Sequence, residues 1–151
     1  MNDEMRHKIL NILGQNRIMT IATLRPDGWP QATTVGYANE DMTIYFLCGL
    51  ESQKAHNLAR DNRVSITING DPPQVMDITG LSMAARVQPV TDHDAAEKVL
   101  RMLMVRYPEQ ILPTPMPMPR PEDVRIFRVE PKVISVLDYS KGFAHTDLVT
   151  C

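Results

Sequence analysis

Apolar and polar positions alternate in strand fashion along most of this chain, and helical spacing interrupts that alternation in three places. Met5, Ile9, Ile12 and Leu13 recur at helical intervals, with Asn2 or Asp3 as cap and Gly14 as stop, and predict a short helix over residues 3–13. Residues 17–24 are rich in β-branched side chains. Arg25-Pro26-Asp27-Gly28 then supplies a turn, and residues 29–38 form the return strand of a hairpin. Pro30 suits a strand start or an edge, and Gly36 marks either a bulge or a close approach to the backbone. After a turn at 39–41, the apolar run 42–48 predicts a central strand. A helix is expected over 52–60, with Ala55, Leu58 and Ala59 facing inward. Val64, Ile66 and Ile68 alternate strictly and define a strand over 63–69.

Beyond the turn at 70–73, residues 74–90 are long enough for a bent strand, broken or bulged at Gly80. Asp92 caps the clearest helix, 92–107, whose stripe is Ala95, Ala96, Val99, Leu100, Leu103 and Met104. Five prolines within residues 113–121 forbid regular hydrogen bonding, leaving a surface linker or a flap over a site as the two readings. Strands over 124–129 and 132–137, parted by Glu130-Pro131, precede a polar tail from Asp138. Six to seven strands with hairpin-length links, and two or three helices that do not alternate with them, exclude a parallel sheet. The expected architecture is mainly β (α+β), an antiparallel barrel with flanking helices, in a single domain over residues 1–151.

Gly49 to Arg60 is the stretch that suggests chemistry. A glycine leaves the strand, Ser52 sits where the helix begins, and Lys54 follows two residues later. Unpaired N–H groups in a helix's first turn carry partial positive charge, so this is an anion site in outline; the plainer alternative is an N-cap serine beside a solvated lysine. A net charge of -2 with no basic cluster argues against nucleic acid, and no apolar stretch approaches the ~20 residues that span a bilayer. Residues 1–13 are polar and amphipathic, unlike a secretory signal. The two cysteines, Cys48 and Cys151, form no motif and read as free thiols in a reducing cytosol. His7, His56, His93 and His145 show no metal-ligand spacing, so no metal is expected. These features read as a soluble, cytoplasmic protein.

Several stretches in fixed order carry a resemblance. They are residues 19–24 with Asp27-Gly28-Trp29-Pro30, then Thr33-Thr34-Val35-Gly36, then Ser52-Gln53-Lys54-Ala55-His56-Asn57-Leu58 leading to Asn62-Arg63-Val64-Ser65. Over roughly the first 90 residues the chain resembles the pyridoxamine 5′-phosphate oxidase-like family of flavin-binding split β-barrels. The resemblance implies a homodimer with FMN in clefts between the subunits. It implies Thr33, Thr34, Val35 and Gly36 along the flavin and ribityl chain, and Ser52, Gln53 and Lys54 at the phosphate. Leu47 and Cys48 fall where a strand approaches the flavin, Gln74 near a cross-subunit contact to the ring, and Tyr139 and Phe143 where aromatic residues cover it.

The chain departs from the vitamin B6 oxidases of that family. Gln53 and Thr33 stand where those enzymes carry arginine, Ala38 where they carry lysine, and their C-terminal arginine pattern is missing. The resemblance therefore implies a flavin-dependent oxidoreductase acting on a small molecule other than pyridoxamine phosphate. The alternative is a non-catalytic module for flavin, a deazaflavin or haem, with His56 or His145 as axial candidates in the haem case. No catalytic acid or base stands out: His145 with Asp147 lacks a nucleophile.

Overall fold

The computed structural model describes residues 1–107 and 119–151. Helix α1 spans Asp3–Gln15. The Asn2 side chain accepts a hydrogen bond from the Met5 N–H at 2.8 Å, and Asp3 and Glu4 lie in the positive first turn. Its inner face is Ile9, Ile12 and Leu13, all buried. Strands β1 (Ile18–Leu24) and β2 (Pro30–Gly36) form the expected hairpin, closed by Gly28 at φ 88°, a conformation that favours glycine. After Tyr37 come β3 (Ala38–Glu40), β4 (Thr43–Gly49), α2 (Gln53–Arg60) and β5 (Arg63–Asn69). A 3-10 turn at Val75–Asp77 leads into β6 (Thr79–Pro89). The remainder is α3 (His93–Val105), β7 (Val124–Asp138) and β8 (Thr146–Thr150). Most of the proline-rich segment lies outside the described residues.

All pairings are antiparallel, in the order β2-β1-β5-β6-β7-β4-β3, with β8 also on β7. β2 and β3 are the two ends of that path, yet only Tyr37 separates them in the chain. A sheet whose opposite ends are joined by one residue must curl, and the result is a half-barrel. Its interior holds Met19, Ile21, Phe46, Ile66, Ile68 and Ile134, with α1 plugging one end. Helix α3 packs outside, with Ala96, Val99 and Leu100 over Ile126, Tyr45 and Leu47.

Three expectations need correction. The sheet irregularity lies not at Gly80 but between Ala84 and Ala85, where β7 carries one extra residue, Lys132. Gly80 is regularly paired, and a Cβ there would meet the Ile68 carbonyl at 3.1 Å, so close backbone approach is what requires glycine. Second, residues 124–129 and 132–137 form one strand. β4 pairs with β7 up to Val129 and β8 begins at Val133, so Pro131 falls in the gap where that edge has no neighbour to miss an N–H. Third, the polar tail contains β8, whose partner is the far half of β7.

Among the described residues, no element covers the outer face of β2, β1, β5, β6 and β7 along one row of the sheet. Thr34, Thr20, Thr67, Ser82 and Ser135 stand in register across it, and Ala32, Ala22, Ser65 and Ala84 form the next row. Both rows carry small, uncharged side chains, and the next row on the same face holds Arg63 opposite Arg86.

Candidate functional site

The α2 N-terminus is built as its sequence suggests. The chain leaves β4 at Gly49, the Ser52 N–H donates to the Gly49 carbonyl at 3.2 Å, and the Ser52 hydroxyl accepts from the Ala55 N–H at 3.1 Å. That cap leaves the hydroxyl proton of Ser52 able to donate. The first-turn N–H groups of Gln53 and Lys54 have no acceptor among the described residues. Lys54 is half-buried and likewise has no hydrogen-bond or ion-pair partner among them.

Gln53 is engaged elsewhere. Its Nε2 donates to Asn57 Oδ1 at 2.9 Å, and Asn57 Nδ2 donates to Thr23 Oγ1 at 3.0 Å and Gln31 Oε1 at 3.2 Å. Asn57 is fully buried, so this chain of bonds ties α2 to the β1–β2 hairpin. Gln31 and Gln53 face a cleft of about 450 Å³ together with Arg25 and Asp27, which pair at 2.6 Å. Two residues beyond Gln31 on the same face of β2, the Thr33 hydroxyl is buried without any partner among the described residues. A buried polar atom without a hydrogen bond is costly, by about 1–3 kcal/mol, and calls for an explanation.

The remaining expected residues divide by location. Thr34 lies on the exposed outer face, Val35 is half-buried, and Gly36 sits near the Tyr107 hydroxyl, 3.6 Å from where a Cβ would stand. Cys48 points into the barrel core, whereas the Leu47 side chain packs with α3. Gln74, Tyr139 and Phe143 belong to a different corner. There the 3-10 turns Val75–Asp77 and Tyr139–Lys141 pack together, the Tyr139 N–H donates to the Ile78 carbonyl at 3.0 Å, and the Tyr139 and Phe143 rings stand edge to face at 5.3 Å. This corner is anchored by Asp138, whose carboxylate binds Lys8 and accepts from the Ser140 hydroxyl at 2.6 Å and N–H at 3.0 Å. The Lys8 ammonium, with help from Ser140, holds the Asp138 carboxyl down at about 2. Within one chain, no hydrogen bond or ring contact among the described residues links this corner to Ser52, Gln53 and Lys54.

Both histidine candidates are paired with carboxylates. His56 is exposed and 3.3 Å from Glu51, and His145 is 3.1 Å from Asp147. Both cysteines are free, and among the described residues no cluster of His, Cys, Asp or Glu could hold a metal. Among the described residues, no helix is long and apolar enough to cross a membrane. Asn57, Thr23 and Gln31 were not singled out from sequence. The available signal was the spacing of Gln53 and Asn57, four apart on one helix face.

A helix-plugged antiparallel half-barrel, with a serine-capped helix N-terminus beside Lys54, defines the class as a split barrel. The model of the pyridoxamine 5′-phosphate oxidase family matches residues 5–138, and the chain belongs to that family. Among solved structures it is similar to a conserved hypothetical protein from Mycobacterium tuberculosis, at 27% identity and TM-score 0.78, covering 97% of this chain and 91% of that one. A haem-binding protein from Mycobacterium smegmatis shares the fold at 17% identity and TM-score 0.74, covering 99% of this chain and 59% of the other. So does a haem storage protein from Vibrio cholerae, at 19% identity and TM-score 0.65, covering 83% and 89%. A comparison with curated proteins finds no match.

Proposed function

We propose that the protein binds FMN, with the phosphate at the α2 N-terminus, and acts as a flavin-dependent oxidoreductase on a small molecule. The observation that carries this reading is Lys54, half-buried and, among the described residues, without a partner beside two open N–H groups and a serine hydroxyl. Together these offer the charge and donors that a phosphate monoester needs. The orphaned Thr33 hydroxyl supplies a further donor on the neighbouring strand. Bound FMN supplies the electron or hydride transfer, and the chain's own residues bind and orient it. That division of labour fits a site with no general acid or base.

The two uncharged rows on the outer face of the sheet support a homodimer, because a second copy packs on those rows without desolvating charge. A dimer would also give the Gln74, Tyr139 and Phe143 corner a route to the flavin of the other subunit.

The test is titration of the protein with FMN and with riboflavin, followed by visible absorbance. FMN is expected to bind more tightly than riboflavin. Lys54→Ala is expected to weaken FMN by about tenfold or more, the worth of one charge-assisted bond, and to leave riboflavin unchanged. Equal losses for both ligands, or none, would sink the phosphate assignment. A Soret band on haem addition with no FMN uptake would replace flavin by haem, and preference for a deazaflavin would replace it by that cofactor.

A further inference from the structure

Two clefts away from Lys54 share a wall. One, of about 570 Å³, is rimmed by Arg60, Arg63 and Arg86. The other, of about 400 Å³, has Phe127 in its lining and Glu51 and His56 at its far end. Leu58, Ala59, Val87 and Pro89 line both, so the two form one groove between α2 and the end of β6. Leu58, Val87 and Phe127 are core residues, between 2% and 6% exposed, that also present a surface to this groove.

The cationic rim is only partly neutralised by the protein. Arg63 and Arg86 are direct partners across β5 and β6, and like charges placed opposite each other destabilise a sheet. Asp61 holds Arg63 bidentately, at 3.1 and 2.8 Å. Arg86 donates to the neutral Asn62 Oδ1 at 2.9 Å, and Arg60 to the Leu24 carbonyl at 2.8 Å. Neither has a carboxylate within ion-pair distance among the described residues. A guanidinium carries five N–H donors, so each of these two retains most of its capacity. Cations of this kind, at the mouth of an apolar trough, match an anion with a hydrophobic body. At the other end, Glu51 offsets Arg125, so that end offers a second negative group no net attraction.

We propose that this groove is a second ligand site, for a small amphipathic monocarboxylate: the apolar body lies over Leu58, Val87 and Phe127, and the carboxylate is held by Arg60 and Arg86. Lys54 lines neither cleft, so the site is independent of the flavin reading.

Octanoate, octanol and an eight-carbon dicarboxylate serve as probes in calorimetric titration of the full chain, with and without FMN. Octanoate is expected to bind saturably at one per chain, better than either control and unaffected by FMN. Arg86→Ala should weaken octanoate by about tenfold or more while leaving octanol unchanged. Ala59→Trp, an exposed α2 position in the shared wall, should block octanoate without unfolding the core. Lys54→Ala should have no effect on octanoate. No saturable octanoate binding, an equal effect of Arg86→Ala on acid and alcohol, or competition between octanoate and FMN would each overturn the proposal.

Discussion

Asp138→Asn tests whether the corner carrying Tyr139 and Phe143 is held by charge. Asp138 is 5% exposed, binds Lys8, and receives two hydrogen bonds from Ser140. Folding lowers its pKa from 3.8 to about 2. At 1.36 kcal/mol per unit this shift bounds the stabilisation at about 2.5 kcal/mol, and screening around the partly exposed Lys8 brings it nearer to about 2. Because the folded pKa is the lower one, the contribution is complete above the unfolded value and is lost as pH falls through about 2. Roughly half is gone by about pH 3. Urea denaturation at neutral pH should show Asp138→Asn less stable by about 2 kcal/mol, equivalent to about 4–8 °C in Tm. Between pH 5 and pH 3 the wild type should lose about 1 kcal/mol that the variant does not lose. The double variant Lys8→Met, Asp138→Asn should recover part of the loss, since removing both charges leaves no unpaired ammonium. If Asp138→Asn and the wild type decline in parallel on acidification, the lowered pKa and the stabilising role of the pair are both refuted.

Thr33→Val replaces an orphaned buried hydroxyl by a methyl of the same shape. It should stabilise the ligand-free protein by about 1 kcal/mol while weakening FMN, and a variant that loses stability would show that the hydroxyl already has a partner. Asn57→Ala removes a fully buried amide that joins Gln53, Thr23 and Gln31, so a loss of about 1–3 kcal/mol is expected in urea denaturation; a change under 0.5 kcal/mol would mean the network carries no stability. Tyr37 is buried, donates to the Leu13 carbonyl at 2.7 Å, and has its phenol pushed up to about 12, by burial foremost. Its stabilisation is complete below the ordinary value of 10 and is lost as pH rises from there to about 12. In a tyrosinate absorbance titration one of the four tyrosines should therefore ionise after the rest, a step that Tyr37→Phe removes.

Where burial follows local periodicity, the fold could be read from sequence. Val64, Ile66 and Ile68 delimit β5 at its observed ends, and Asn2, Ser52 and Asp92 each cap the helix that follows them. Misreadings arose where a local breaker is excused by tertiary structure. Pro131 reads as a strand end, but only the gap between β4 and β8 makes it harmless, and that gap is set by β4, more than 80 positions upstream, and by β8 downstream. Gly80 reads as a bulge because strand glycines often mark one, yet its cause is the Ile68 carbonyl across the sheet. The polar tail holds a strand because the second half of β7, continuous through Pro131, offers it an edge to pair with, which no local pattern announces.

The α2 N-terminus was legible because capping and charge are local, whereas Asn57 was not, because a buried asparagine leaves no mark on helical periodicity. Its network changes how the missing cations are understood. Gln53 stands at a position where related oxidases carry arginine, and here it is bound into the fold through Asn57 rather than left free. Arg25, a cation lining the cleft that Gln53 faces, is paired with Asp27. A phosphate monoester carries about -1.5 to -2 charge near neutral pH, against one lysine and about half a charge from the helix. The balance is incomplete, so a flavin held here is held by one full cation and several neutral donors. Such a site should release its cofactor more readily as salt rises, which makes uptake on titration a more direct probe of the flavin reading than colour on purification.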